Sequence, residues 1–182
     1  MCAMLMAVQE VDGGESVRLP CVPGPGNDRS AATGIRVAET ETGNDAELFR
    51  FGKGGSYRLR LAGGTEDRLA CWHLAHQEYL RMGYVGPRDP PYRYSLHDAL
   101  PATATLMAEA EDGLAGTVSL FPDSPLGLPA DAIYQAELND MRRQGRRLVE
   151  VGRLTIGGRY AHDRDILCSL FDGLSIYARR IM

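Results

Sequence analysis

The chain has 182 residues, 44% of them hydrophobic and 24% charged, which is enough for one domain with its own core plus an extension. A formal net charge of -4 excludes a general nucleic-acid binder, because such proteins need surplus Lys and Arg to replace phosphate counterions. Cys2, Cys21, Cys71 and Cys168 form neither a CxxC pair nor a ligand-like spacing, which argues against a zinc site or a disulfide framework and for reduced thiols in a cytoplasmic protein.

The opening MCAMLMAV is apolar but lacks a basic flank and is cut short by Gln9 and Glu10, so it is too short for a signal peptide or a membrane span. From Asp12 to Gly34 the chain is dense in Gly and Pro, and with few large apolar residues it cannot offset its ordering entropy. Ile35, Val37, Leu48, Phe49 and Phe51 show no period that assigns a structure, although they can dock on a neighbouring domain. The expected division is therefore a largely disordered extension over 1–54 and a folded domain over 55–182.

Tyr57, Leu59 and Leu61 alternate with Ser56, Arg58 and Arg60, which predicts a half-buried strand. Gly63 and Gly64 end it, Thr65 is placed to cap a helix carrying Glu66 and Asp67 in its first turn, and Gly83 can stop that helix. Pro87, Pro90 and Pro91 exclude regular structure between Tyr84 and Tyr94, and the neighbouring aromatics suggest a lid. Thr103 to Ala110 and Leu114 to Phe121 read as a hairpin around Glu111-Asp112-Gly113. Pro129 and Gly145 bracket a second helix, Arg146 to Ile156 is a strand rich in Leu and Val, and a last helix runs from about Asp163 to Arg180.

Four segments carry a resemblance: HDALPATATLMAE, GLAGTVSLFPDSPLGLPADAIYQAELNDMRRQG, RRLVEVGRLTI and, more weakly, YRLRLA with its helix. With their order of strand, helix, strand, strand, helix, strand, helix, they resemble the long-chain N-acyl amino acid synthases, a GNAT-fold group related to the acyl-homoserine lactone synthases. The resemblance runs from about Tyr57 to the end, and its most specific part is Gly116 through Arg153. It implies an α/β (α+β) domain with a mixed, mostly antiparallel sheet flanked by helices. It also implies transfer of a long-chain fatty acyl group from an acyl carrier protein thioester to the amine of an amino acid. In the lactone synthases the position of Ser119 is typically Arg, and two acidic residues stand where this chain has Asp98 and Pro101. Those departures favour an amino-acid acceptor over S-adenosylmethionine.

Aminolysis of a thioester requires a neutral amine, a polarised carbonyl and a slot for the acyl chain. Strict alternation puts Glu150 and Arg153 on opposite faces, whereas a bulge at Val151-Gly152, a common meaning of Gly inside a strand, brings them together. There Glu150 can draw off the amine proton and Arg153 can orient the acceptor; a structural ion pair pinning the bulge is the competing reading. The resemblance implies that Asp98 is an active-site acid, against an ordinary turn residue, and that Ser119, Val151 and Gly152 border the substrate. Gly157 and Gly158 open a strand-to-helix junction suited to the phosphate of a phosphopantetheine thioester, with Arg159 and Arg164 adding charge. The same loop also reads as a plain turn.

Arg142, Arg143, Arg146 and Arg147 form a basic run in an acidic chain. It suits an acidic acyl carrier protein and equally favours a helix C-terminus and solubility. Trp72, Tyr79, Met82 and Tyr84 are placed to line an acyl chamber or a core. Cys71, His73 and His76 share a helix without further ligands, so packing is favoured over a metal site. No bound cofactor is expected; the phosphopantetheine thioester, on carrier protein or coenzyme A, is a co-substrate.

The GNAT fold continues beyond the helix that ends this chain, and its acyl cleft lies between the fourth and fifth strands. The fourth strand is therefore expected to present an exposed apolar edge, as a fragment or as a surface for pairing in a homodimer. An acyl-homoserine lactone synthase and an inactive GNAT-like binding module stand as alternatives to the amino acid synthase.

Overall fold

The structure is a computed structural model that describes residues 4–8 and 47–181. In chain order its elements are β1 (Met4–Val8), β2 (Glu47–Phe51), β3 (Tyr57–Leu61), α1 (Thr65–Arg81), β4 (Ala104–Ala110), β5 (Gly113–Pro122), α2 (Asp131–Arg143), β6 (Arg147–Ile156) and α3 (Arg164–Ile181). The six strands form one sheet in the order β1-β6-β5-β4-β3-β2, and every pairing is antiparallel. From β3 to α3 the order is the expected one, with boundaries within about two residues, the usual uncertainty of element ends.

Two parts of the 1–54 extension are strands rather than disordered chain. Met4–Val8 pairs with β6, from Met4 opposite Val151 to Val8 opposite Arg147. Glu47–Phe51 pairs with β3, with Phe49 opposite Leu59 and Phe51 opposite Tyr57. Neither five-residue segment contains enough repeats to announce a period, and each becomes a strand because a sheet edge offers its backbone partners. The Gly- and Pro-rich arm from Asp12 to Gly34, with Cys21, lies outside the described residues.

The β6 edge expected to be exposed is thus covered over Arg147–Val151. Among the described residues no strand lies beside it from Gly152 to Ile156.

One face of the sheet packs on α3. Leu59, Leu106, Val118, Leu120, Val149 and Val151 meet Ile166, Leu170 and Leu174 in one buried cluster, each large side chain contributing about 1.5–3 kcal/mol. Gly173 makes this approach possible, since a Cβ there would lie 2.3 Å from Leu59 Cδ2. On the opposite face α1 lies over β5 and β6 with Cys71, Ala75 and His76 buried, and burial pushes the Cys71 thiol up to about 11.

The first turn of α1 is fixed by charge rather than by a Thr65 cap, for Gly64 is the N-cap residue. Asp67 accepts from Gly63 N–H at 2.8 Å and from both terminal nitrogens of Arg60 at 2.5 and 2.7 Å. Arg60 also reaches Glu109 on β4 at 2.8 Å. The Arg60 partner holds the Asp67 carboxyl down at about 2, so this pairing is present above the ordinary carboxylate range and is lost only in strong acid.

Candidate active site

On β5, Thr117 is opposite Thr155 and Ser119 opposite Gly152, so Val118 faces two residues of β6, Arg153 and Leu154. This is a β-bulge. Its position corrects the expected one at Val151-Gly152 by two residues. Arg153 takes the turn with a left-handed φ of 52°, a conformation that costs a non-Gly residue roughly 1–2 kcal/mol. Gly152 has a different purpose: it stays in register, and a Cβ there would lie 2.9 Å from Phe121 Cε2.

The strain at Arg153 is held by Asp98. Arg153 Nε and Nη2 donate to the two Asp98 oxygens at 2.7 Å each, and Nη1 donates to the Arg93 carbonyl at 3.3 Å. Asp98 is 3% exposed and also accepts from Ser95 N–H and Ser95 Oγ at 2.6 and 2.8 Å. It thereby caps the short helical turn Leu96–Ala99. Such a fork-to-fork pair is the strongest geometry an Arg and a carboxylate can form. The pair that pins the bulge is Arg153 with Asp98, and all three Arg153 nitrogens capable of gripping an acceptor are engaged.

Glu150 is 4% exposed and takes part in no ion pair among the described residues. Its Oε2 accepts from Ala130 N–H, at the start of α2, at 2.8 Å. Burial pushes its carboxyl above the ordinary range, while the Ala130 amide and His97 pull the other way. It sits opposite Phe121 on β5. Phe121 meets the His97 ring edge to face at 6.3 Å, and His97 Nε2 is buried without a hydrogen-bond partner among the described residues. The turn Leu96–Ala99 therefore sets Asp98 on Arg153 and His97 against Phe121, the cross-strand partner of Glu150. Sequence reasoning missed His97; the signal available was its place beside Asp98 in the segment HDALP.

The remaining expected residues divide. Ser119 is 2% exposed and shares a hydrogen bond of 2.8 Å with Thr105 Oγ1, so it is spent within the sheet. At the junction after β6 the Gly157 amide donates to the Ala115 carbonyl at 2.9 Å, and the Gly158 amide to Glu78 Oε1 at 2.8 Å. A carboxylate thus occupies the Gly158 amide expected to hold a phosphate. Arg159 pairs with the exposed Asp112 at 2.6 Å and lies over the Tyr160 ring, while Arg164 opens α3.

Arg142 is not a free surface charge. It donates to Asp123, Asp131 and Asn139 at 2.6–2.8 Å, tying α2 to the loop after β5 and holding the Asp131 carboxyl below its usual range. Arg143 is exposed, with Asp140 at 3.3 Å, and Arg146 and Arg147 follow at the entry to β6.

The stretch from Tyr84 to Tyr94 lies along α1. Tyr94 stacks near Trp72 at 5.1 Å and Tyr84 meets Tyr79 at 5.9 Å. Arg93 N–H donates to the Trp72 carbonyl at 3.0 Å, and His73 Nδ1 lies 3.2 Å from the Pro91 carbonyl oxygen. Tyr84 at 69% and Met82 at 51% remain exposed, so the aromatic set fastens this covering segment to α1.

Residues 70–182 match the family model described as N-acyl amino acid synthase FeeM. The solved structure of FeeM, an N-acyl amino acid synthase from uncultured soil microbes, is similar with a TM-score of 0.60 and 25% identity, over 69% of this chain and 66% of that one. The chain thus spans just under two thirds of that relative. The antiparallel sheet and its helices are those of a GNAT-like acyltransferase fold. No curated protein matches the chain.

Proposed function

The chain belongs to the FeeM family of N-acyl amino acid synthases, and from that premise we propose that it transfers a long-chain fatty acyl group to the amine of an amino acid. The donor is a phosphopantetheine thioester on acyl carrier protein or coenzyme A, a co-substrate rather than a bound cofactor. The exposed Arg143 and the neighbouring Arg146 and Arg147 would meet the acidic carrier protein. The reaction would take place in the cytoplasm; among the described residues no helix is long and apolar enough to cross a membrane.

Glu150 carries this reading. Its burial without a counter-ion raises its affinity for a proton, which is what a base needs if it is to take one from an ammonium near neutrality. It stands on β6 two residues before the part of the edge that has no neighbouring strand among the described residues, where backbone amides would polarise the thioester carbonyl. The Asp98–Arg153 pair acts as a brace for the bulge.

Incubation with palmitoyl-loaded acyl carrier protein, or with palmitoyl coenzyme A, and the twenty amino acids tests the proposal by mass spectrometry. An N-palmitoyl amino acid is the expected product. Its absence with both donors, or a homoserine lactone formed from S-adenosylmethionine, refutes the proposal.

A further inference from the structure

The loop that follows β6 already holds an anion, one that the chain itself supplies. Glu78, in the last turn of α1, reaches across to that loop, where its Oε1 accepts from the Gly158 amide at 2.8 Å. Its Oε2 accepts from Arg81 Nε at 2.7 Å. Gly158 admits this grouping because it has no side chain: a Cβ there would lie 3.1 Å from Arg81 Nε and 3.5 Å from Glu78 Oε1. The Glu78 side chain is 14% exposed, while that of Arg81, at 55%, faces water.

Nothing in α1 itself calls for an acid at this place, since a carboxylate in the last turn of a helix opposes the macrodipole. What Glu78 gains there is the Gly158 amide, which stands at the end of the strand that a thioester arm would follow. An amide and a guanidinium that together hold a carboxylate offer a phosphate oxygen the same donors. With Glu78 in position, the amide is taken and the negative charge is already present.

We propose that Glu78 is an anion plug that sets the choice of donor: its carboxylate fills the place a donor phosphate would take in the loop after β6, and so favours a thioester arm on carrier protein over coenzyme A. Repulsion grows with the charge brought in. The carrier's arm has a single phosphodiester, whereas coenzyme A has a diphosphate and a further phosphate ester. The carrier also binds through its own protein surface and so depends less on this loop. Glu78 is thus a specificity-determining residue with no part in the chemical step. The inference rests on the proposed use of a phosphopantetheine thioester.

The test titrates free coenzyme A into the full chain by calorimetry, which needs no turnover. Glu78→Gln keeps an oxygen for the Gly158 amide and removes the charge, and its affinity for coenzyme A is expected to rise about 10-fold over the wild type. Glu78→Ala, which leaves the amide to water, should show the same gain. In amide NMR, coenzyme A should move the Gly158 signal of the variants and leave that of the wild type in place. With palmitoyl donors, the ratio of kcat/KM for coenzyme A to that for carrier protein should rise by the same factor. Absence of the affinity gain from both variants overturns the plug and leaves Glu78 a tie between α1 and the loop; so does a wild-type Gly158 signal that moves with coenzyme A. Tighter coenzyme A binding with an unchanged donor ratio overturns the choice of donor. A wild type that makes no amide with either donor refutes the function, and the binding result is still read.

Discussion

Asp98 and Glu150 are both acids withdrawn from water, at 3% and 4% exposure; Asp98 belongs to the turn Leu96–Ala99 and Glu150 stands opposite Phe121 on the sheet. Asp98 meets a guanidinium fork and two donors of Ser95. Glu150 meets one amide, that of Ala130, and no cation among the described residues. The first arrangement cancels a charge and fixes a backbone shape, while the second leaves a carboxylate poised to take a proton. Burial alone therefore does not single out a candidate base; burial without a counter-ion is what makes Glu150 the proposed one.

Glu150→Gln should break the comparison most widely on its functional side. Loss of a general base lowers kcat by about 10²- to 10⁴-fold, while the amide oxygen still accepts from Ala130. Because the folded-state value of Glu150 lies above its ordinary 4.5, the stability it contributes is fully present below that pH and is lost as pH rises through the raised value. The stability advantage of Glu150→Gln over the wild type should therefore grow from acid toward neutrality in urea unfolding. An advantage that grows toward acid reverses the assignment.

Asp98→Ala tests the structural side. It leaves Arg153, whose side chain is 16% exposed, without its partner in a strained backbone, and should cost about 3–5 kcal/mol by denaturant unfolding. A stable variant that has lost only activity would make Asp98 a substrate ligand instead of a brace.

Gly152→Ala acts on Phe121, the cross-strand partner of Glu150. The added Cβ meets the Phe121 ring, so a loss of about 1–3 kcal/mol is expected, with a weakened acyl-donor KM. Full tolerance, seen as an unchanged melting temperature, would mean that the ring moves aside.

The smallest effect is expected at Arg159→Ala, whose pair with Asp112 is exposed on both sides at 61% and 57%. Unfolding should be unchanged within error. Weaker acyl coenzyme A binding in that variant would restore the phosphate role expected for the loop after β6.

Much of the frame was legible from the sequence. Alternation at Tyr57 to Leu61, helical spacing from Leu69 to Leu80 and a Gly just beyond a helix are local properties, and a window of ten residues contains them. Gly83 and Gly145 do take the left-handed conformation that ends α1 and α2. Glu150 and Arg153 could be singled out because charges in an apolar strand are conspicuous. Their partners could not: Arg153 reaches 55 residues back to Asp98, and Glu150 reaches 20 residues back to the amide of Ala130. His97 lies on a turn with no period, so nothing local separates it from a surface histidine.

The sequence by itself determined the order of strands and helices from β3 to α3 and the presence of a carboxylate on β6, because these follow from backbone preference and hydrophobic spacing. Tertiary structure alone decided that Met4–Val8 covers half of the β6 edge, that the bulge falls at Arg153 instead of Gly152, and which acid receives the guanidinium. Those choices depend on register between distant segments and on competition for a small number of donors, and neither quantity is written in any one stretch of chain.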